Sequence, residues 1–368
     1  MKTILLFSAL AFFCFCSCAP RPFDEAAWNQ KMKSLKVSDL YEDHYRDGRF
    51  FNPWMPMEEK GLFSLIRWKL TEKMDYSDEE REYLPKVIPG AVERIRGKEG
   101  RNFIMWLGHG SYLIKLGKEF WLLDPILTER ALIIKRKIPP ALTPESIKAV
   151  SDHFHVLLSH NHYDHFDQET IEALPDGSTI ITPLGFKDCI DGFSGKKDVQ
   201  EMDWWGEYTS SGGTRITCLP AQHWSKRATV GTNKSLWASF MIETQDLVIF
   251  FGGDSGYFIG YQEFSRKFPA VDYALIPTTA YHPRWFMHYA HMDVDEAIDA
   301  FQELGARYFI PTQWGTFGLG DEPPGFPALD LKRKIQERQL NRERFLIPDV
   351  GEIIDLPDRK PMPEGMTP

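Results

Sequence analysis

Short apolar runs alternate with charged and turn-forming stretches along this chain, and the runs become dense after residue 100. From Asn102 onward they fall at Phe103–Leu107, Tyr112–Leu116, Phe120–Leu123, His155–Ser159, Ser178–Thr182 and Thr214–Leu219. Five more follow at Trp237–Glu243, Leu247–Phe251, Tyr273–Ile276, Arg307–Ile310 and Glu352–Leu356. Each is short and rich in β-branched or aromatic side chains, so each is predicted to be a strand. Between them, Asp293 followed by Glu296 forms a capping box that starts a helix over Val294–Leu304, and Gly305 is a fitting stop. Asp167 caps a shorter predicted helix, Gln168–Ala173. Clustered early strands followed by strands mixed with helices predict an α/β fold of stacked sheets with helices outside. There is no internal repeat or low-complexity tract.

Ahead of residue 100 the pattern is looser. Residues 50–100 contain Pro53, Pro56, Pro85 and Pro89 and read as an extension packed on a main domain spanning 101–358. Within the extension, Leu62, Phe63, Leu65, Ile66 and Leu70 interleave with Arg67, Lys69 and Lys73 at near-helical spacing. This amphipathic run, Gly61–Met74, is expected to pack on the main domain, with contact to lipid as the alternative. Residues 19–49, charged and carrying Pro20 and Pro22, are expected to be a tether.

The chain begins MKTILLFSALAFFCFCSCAP, where Lys2 precedes an apolar stretch, Ile4–Phe15, too short to span a membrane. That is the pattern of an export signal. Its end, Phe15-Cys16-Ser17-Cys18, resembles a bacterial lipobox. The resemblance implies a lipoprotein-type signal over residues 1–18, lipidation at Cys18, and an exported, membrane-anchored lipoprotein in the periplasm or outer membrane. An ordinary cleaved signal is the alternative. No later stretch is long and apolar enough to span, so attachment would be by lipid alone. Once the leader is discounted, only Cys189 and Cys218 remain; a buried thiol is expected at Cys218, in a predicted strand, and a disulfide between the two is possible but not required.

A length of 368 residues with 43% hydrophobic and 14% aromatic content supports a sizeable core. The formal charge of -9 argues against a nucleic-acid partner, which needs a cationic surface to displace counterions. An anionic substrate would instead need local positive charge, such as metal ions.

Residues 157–167, LLSHNHYDHFD, supply that possibility. In an extended segment, side chains two apart point the same way, so His160 and His162 can grip one ion. Asp164 and His165 can address a second as the chain turns into the next helix. Three other predicted strands end near candidate ligands: His223 after Thr214–Leu219, Asp254 after Leu247–Phe251, and Gln313 after Arg307–Ile310. Strand ends are where open α/β sheets gather their sites.

The order H-x-H-x-D-H followed by isolated His and Asp resembles the metallo-β-lactamase superfamily. With WLGHGS, LLDP, PLG, DWW, QHW, GGDSGY, YHPRWFM, HMDVDEA and WGTF, it is similar to the branch of N-acylphosphatidylethanolamine-hydrolysing phospholipases D. The resemblance implies a four-layer αββα sandwich and a zinc site of one or two ions. A first ion would be held by His160, His162 and His223, and Asp254 would bridge to a second held by Asp164 and His165. The family completes that second site with histidine where this chain has Gln313, a poorer zinc ligand. Asp124 matches an aspartate that orients a ligand through a hydrogen bond. His291 matches a histidine near the substrate, so Asp254, Asp164 and His291 are the implied catalytic residues. His109 reads as scaffold, and His282, His288 and Arg284 belong to an aromatic loop that lines the cleft or faces solvent.

The implied activity is metal-dependent hydrolysis of N-acylphosphatidylethanolamine-like phospholipids by metal-activated water. The expected partners are that phospholipid and a membrane reached through the lipid anchor. Hydrolysis of an acyl, lactone or amide bond on the same fold is one alternative, since a fold does not fix its chemistry. A non-catalytic metal- or lipid-binding protein is another.

Overall fold

The computed structural model describes residues 23–57, 60–71, 73–190, 192–193 and 195–357. Cys18 and the leader, with the lipidation expected there, lie outside the described residues. All eleven predicted strands form, with ends shifted by a residue or two. In chain order the strands of the two large sheets are β1 Asn102–Gly108, β2 Ser111–Leu116, β3 Glu119–Leu123, β4 His155–Leu157, β5 Thr179–Pro183 and β6 Asp198–Met202. Then come β7 Glu207–Thr209, β8 Arg215–Leu219, β9 Ser239–Glu243, β10 Val248–Phe251, β11 Tyr273–Pro277, β12 Tyr308–Thr312 and β13 Ile353–Leu356. One sheet runs in the order β6-β5-β4-β3-β2-β1-β13, the other β7-β8-β9-β10-β11-β12. Strands β3 to β6 are parallel neighbours, as are β10 to β12.

Alternation along the strands decides which side chains meet. On β1 to β4, Ile104, Trp106, Ile114, Trp121 and Leu157 join one apolar cluster with Ile216, Cys218, Phe240 and Ile249 of the second sheet. Their neighbours Phe103, Met105, Leu113, Leu122 and Val156 face the other way and pack with Ile171 and Leu174. Outside the second sheet, Phe264 and Phe301 come from the helices Gly260–Lys267 and Val294–Leu304 and join the first cluster. The result is an α/β sandwich with helices on the outer faces. The capping box of Asp293 and Glu296 is present, and Gly305 ends the helix in the left-handed conformation. Cys189 and Cys218 are both free and buried.

Two expectations for the N-terminal part are corrected. Residues 25–49 are not an extended tether: α1, Glu25–Lys33, buries Trp28 and Met32, and Leu40 is buried beyond it. The Trp28 indole donates to Glu296 at 3.0 Å, and Arg284 pairs with both Glu25 and Glu296. Interspersed aromatic and aliphatic residues hold this charged segment to the body, a pattern that its prolines and charges concealed. The second correction concerns α2, Leu62–Leu70, which forms as predicted but buries none of its residues. Its opposite side is the anchored one. The Trp68 indole donates to Asp321 at 2.9 Å and the ring stacks on Phe286, so the apolar stripe faces outward. Periodicity shows that such a stripe exists; it does not show which way the stripe is turned.

Among the described residues, no helix is long and apolar enough to cross a membrane.

Candidate metal centre

The parallel strands deliver the site's side chains at their carboxyl ends. Asp124 follows β3, the loop carrying His160, His162, Asp164 and His165 follows β4, Asp254 follows β10, and Gln313 follows β12. His223 lies a few residues beyond β8. Gly253 is required where it stands: its φ is +56°, and a Cβ there would lie 2.6 Å from the Ser159 Cβ. The histidine loop is held from behind by the buried Arg227, which donates to the carbonyls of Asn161 and Phe166 at 3.2 and 2.9 Å. His223 is held by Asn52, whose amide donates to its carbonyl at 3.1 Å while accepting from the Trp237 indole.

At one pole the Nε2 of His160 lies 2.8 Å from the Nδ1 of His162, and the Nε2 of His223 lies 3.2 Å from that same atom. An Asp254 carboxylate oxygen is 3.7 and 3.5 Å from the two Nε2 atoms. The surrounding hydrogen bonds fix the tautomers. The Nδ1 of His223 faces the Ala290 carbonyl, which can only accept, so its Nε2 carries a lone pair. The Ser159 hydroxyl donates to Asp124 and therefore accepts from Nδ1 of His160, leaving that Nε2 unprotonated as well. One proton on His162 Nδ1 can serve only one of these two lone pairs, and its Nε2 is buried without a partner. A divalent cation among the four residues would satisfy the lone pairs and the carboxylate together, so the donor set fits a metal. Burial holds His160 and His223 well below the ordinary imidazole range and brings His162 down to about 4, leaving all three in the neutral form that ligates.

The other pole is built differently. His165 donates from Nδ1 to Asp124 at 2.7 Å, and its Nε2 lies 3.2 Å from Asp254 and 3.4 Å from Asp164. Burial would lower His165, but Asp254 and Asp164 outweigh it and push the imidazole well above its usual range. Burial would likewise raise the two carboxyls; neighbouring imidazoles, His165 foremost, hold both well below the usual carboxylate range. Gln313 has a φ of +73° and turns its amide nitrogen, a donor, to the Gly253 carbonyl at 3.0 Å and to Asp254. In this orientation its amide nitrogen, and not its oxygen, faces Asp254. Reversing the amide would place its oxygen among other acceptors, which is unfavourable unless a cation lies between them.

Asp124 is fully buried, with a φ of +36°, and accepts from the Ser159 amide, the Ser159 hydroxyl and His165. It bonds His165 directly and reaches His160 through the Ser159 hydroxyl. His291 stands beside His223 with ring centroids 5.5 Å apart, and its buried Nδ1 has no protein partner. His282 and His288 lie farther out: His282 bonds to Tyr76, and His288 packs on Phe23 and Trp28. His109, read from the sequence as scaffold, stands against a candidate ligand, a contact the sequence did not show. Buried, it bonds through Nδ1 to the Gln313 carbonyl and places Nε2 3.1 Å from Asp164. The Gly-His-Gly turn was the available signal, and His109 does take a positive φ there, but nothing local pointed toward Asp164.

A buried nest of imidazole and carboxylate ligands at the strand ends of a two-sheet sandwich defines a metal-dependent hydrolase. Residues 121–314 match the Beta-lactamase superfamily domain. The chain belongs to the metallo-β-lactamase superfamily. Within it, the chain is similar to the N-acylphosphatidylethanolamine-hydrolysing branch. It is 32% identical over 279 residues to N-acyl-phosphatidylethanolamine-hydrolyzing phospholipase D 1 of Caenorhabditis elegans, covering 71% of this chain and 78% of the relative. It is 33% identical over 248 residues to the mitochondrial enzyme of that name from Saccharomyces cerevisiae, covering 64% of this chain and 52% of that one. In fold it is similar to Igni18, a metallo hydrolase from Ignicoccus hospitalis, with a TM-score of 0.54 at 17% identity over 70% of this chain and 99% of that one.

Proposed function

We propose that the protein is a phospholipase D-type phosphodiesterase that hydrolyses N-acylphosphatidylethanolamine-like phospholipids, with zinc held by His160, His162, His223 and Asp254. The convergence of three neutral imidazoles and one carboxylate carries the reading, and similarity to enzymes named for this reaction supports the substrate class. Bound there, a divalent ion would acidify water and neutralise charge on the phosphodiester oxygens. Asp254, kept ionised by its imidazole neighbours, accepts a hydrogen bond from the attacking water and so orients it. Asp164 is the more open carboxylate, with its side chain 17% exposed, and, held ionised by His165 and His109, it accepts a hydrogen bond from water at the site. Burial lowers His291 from its ordinary range, so it stands as a neutral imidazole able to donate a hydrogen bond to a phosphoryl oxygen, or to take the proton released by the attacking water and pass it to the leaving alcohol. Water adds at phosphorus, the phosphorus–oxygen bond to the N-acyl amino alcohol breaks, and phosphatidic acid and that alcohol are released. Cys18 would carry the lipid that keeps the exported enzyme at the membrane.

The test is product analysis with purified full-length protein and N-acylphosphatidylethanolamine vesicles. Phosphatidic acid and N-acylethanolamine in equal amounts are expected. Release of fatty acid instead would assign the chain to acyl hydrolysis. Metal binding without turnover of any phospholipid or generic phosphodiester would leave only a binding protein.

A further inference from the structure

Helix α2 carries five of the ten exposed large apolar side chains among the described residues, and the metal centre uses none of them. Leu62, Phe63 and Leu70 are 74%, 82% and 81% exposed, which is unusual for three large apolar side chains on one short helix. At 100° per residue, Leu62, Ile66, Leu70 and Phe63 fall within an arc of about 100°. Ser64 and Trp68 fall opposite, and they are the helix's only half-buried residues. Arg67 and Lys69 lie just outside the two edges of the apolar arc. The helix contains no acid, and the nearest acids in sequence, Glu59 and Glu72, lie beyond its ends. An apolar face bordered by cations suits the boundary between acyl chains and anionic headgroups, where long basic side chains reach outward to phosphate.

A second patch also sets apolar side chains between cations, although here Lys135 pairs with the adjoining Glu129 at 3.7 Å. The hairpin Arg130–Lys135 exposes Leu132 and Ile133 at its tip, between Arg130 and Lys135. Its base, Ala131 and Ile134, packs with Phe317 and Leu319. Asp321, two residues on from Leu319, receives the Trp68 indole and the Lys73 ammonium. One short segment therefore carries the hairpin at one end and α2 at the other, and it begins four residues after Gln313 of the metal centre. α2 also touches the loop that leads to His291: Arg67 lies over Trp285, and Arg284, the residue before it, donates to the His291 carbonyl at 3.3 Å.

We infer that α2 and the Leu132–Ile133 hairpin tip form a docking face for an anionic phospholipid bilayer, with the metal centre opening between them. The inference deepens the phospholipid reading: it names a surface that would deliver a membrane-resident substrate without relying on the lipid at Cys18. A second copy of the chain is the competing occupant, but a bilayer accounts for the paired basic borders on a protein whose formal charge is -9.

Hydrogen–deuterium exchange on the full chain tests this, using phosphatidylcholine vesicles with and without phosphatidylglycerol. Wild type is compared with Leu62→Gln/Phe63→Gln/Leu70→Gln, which shares the same N-terminus, so any contribution of the anchor cancels. Vesicles should slow exchange over 62–70 and 130–135 in wild type, more so with phosphatidylglycerol. The variant should lose that protection, and its hydrolysis of vesicle substrate should fall by about tenfold or more. Its turnover of a soluble nitrophenyl phosphodiester and its metal content should not change. Exchange unaltered by vesicles would overturn the inference, as would protection that needs no lipid and grows with protein concentration, the mark of self-association. Protection without phospholipid hydrolysis would keep the docking face and remove the phosphodiesterase reading; hydrolysis without protection would do the reverse.

Discussion

The two poles of the ligand cluster share Asp254 and Asp124 yet are prepared for different tasks. Around His160, His162 and His223, carbonyl and hydroxyl partners leave unshared ring nitrogens converging on one point. Around His165 the positive charge comes from protein: an imidazole biased toward protonation, and an amide N–H from Gln313 on Asp254. A ligand set is thus defined less by residue type than by which atom each neighbour forces outward. The first pole has its lone pairs ready. The second must give up a proton or reverse an amide before it offers the same.

The largest test of this contrast removes a ligand from the better-prepared pole. His223→Ala should abolish tight metal retention there and reduce turnover by roughly a thousandfold or more. Metal analysis beside single-turnover rates checks it, and retained metal with a near-normal rate would mean that the ready pole is not where the ion is held. Next is Asp124→Asn, which replaces an acceptor-only group with an amide whose NH2 must face a donor. Because Asp124 supports Ser159 and His165 at once, a loss of about 10–100-fold in metal affinity or activity is expected. Affinity for the first ion should fall even though Asp124 itself is not in that ligand set. The smallest change in rate, and the sharpest comparison between poles, comes from Gln313→His. Replacing the amide donor with an imidazole lone pair should raise the metal-to-protein ratio from about one toward two, with a few-fold effect on rate. A wild-type ratio already at two would show that the amide reverses when the ion arrives.

Much of this centre was legible because its signals are local. His160 and His162 share a face through the two-residue period of extended chain, and the helix after Asp167 begins where its cap requires. His109, Arg227 and Asn52 were not legible in the same way. Each acts on a partner far along the chain, Asp164, the Asn161 and Phe166 carbonyls, and the His223 carbonyl, and no periodicity carries such a contact. The N-terminal segment misled for a related reason. Prolines and charges describe backbone stiffness and solubility, whereas the burial of Trp28 and Leu40 depends on a surface built from residues much later in sequence.

The sequence by itself determined eleven of the thirteen strands of the two large sheets, missing β6 and β7, together with the main helix caps, the histidine loop and the presence of an amphipathic run at 62–70, because backbone geometry imposes those periods on any chain that folds this way. Tertiary structure alone decided that His223 and Asp254 close on His160 and His162, that the Gln313 amide points its N–H inward, and that α2 turns its apolar side to solvent. Orientation is set by whichever donor, acceptor or ring lies opposite after the sheets have packed, and that neighbour is a property of the fold.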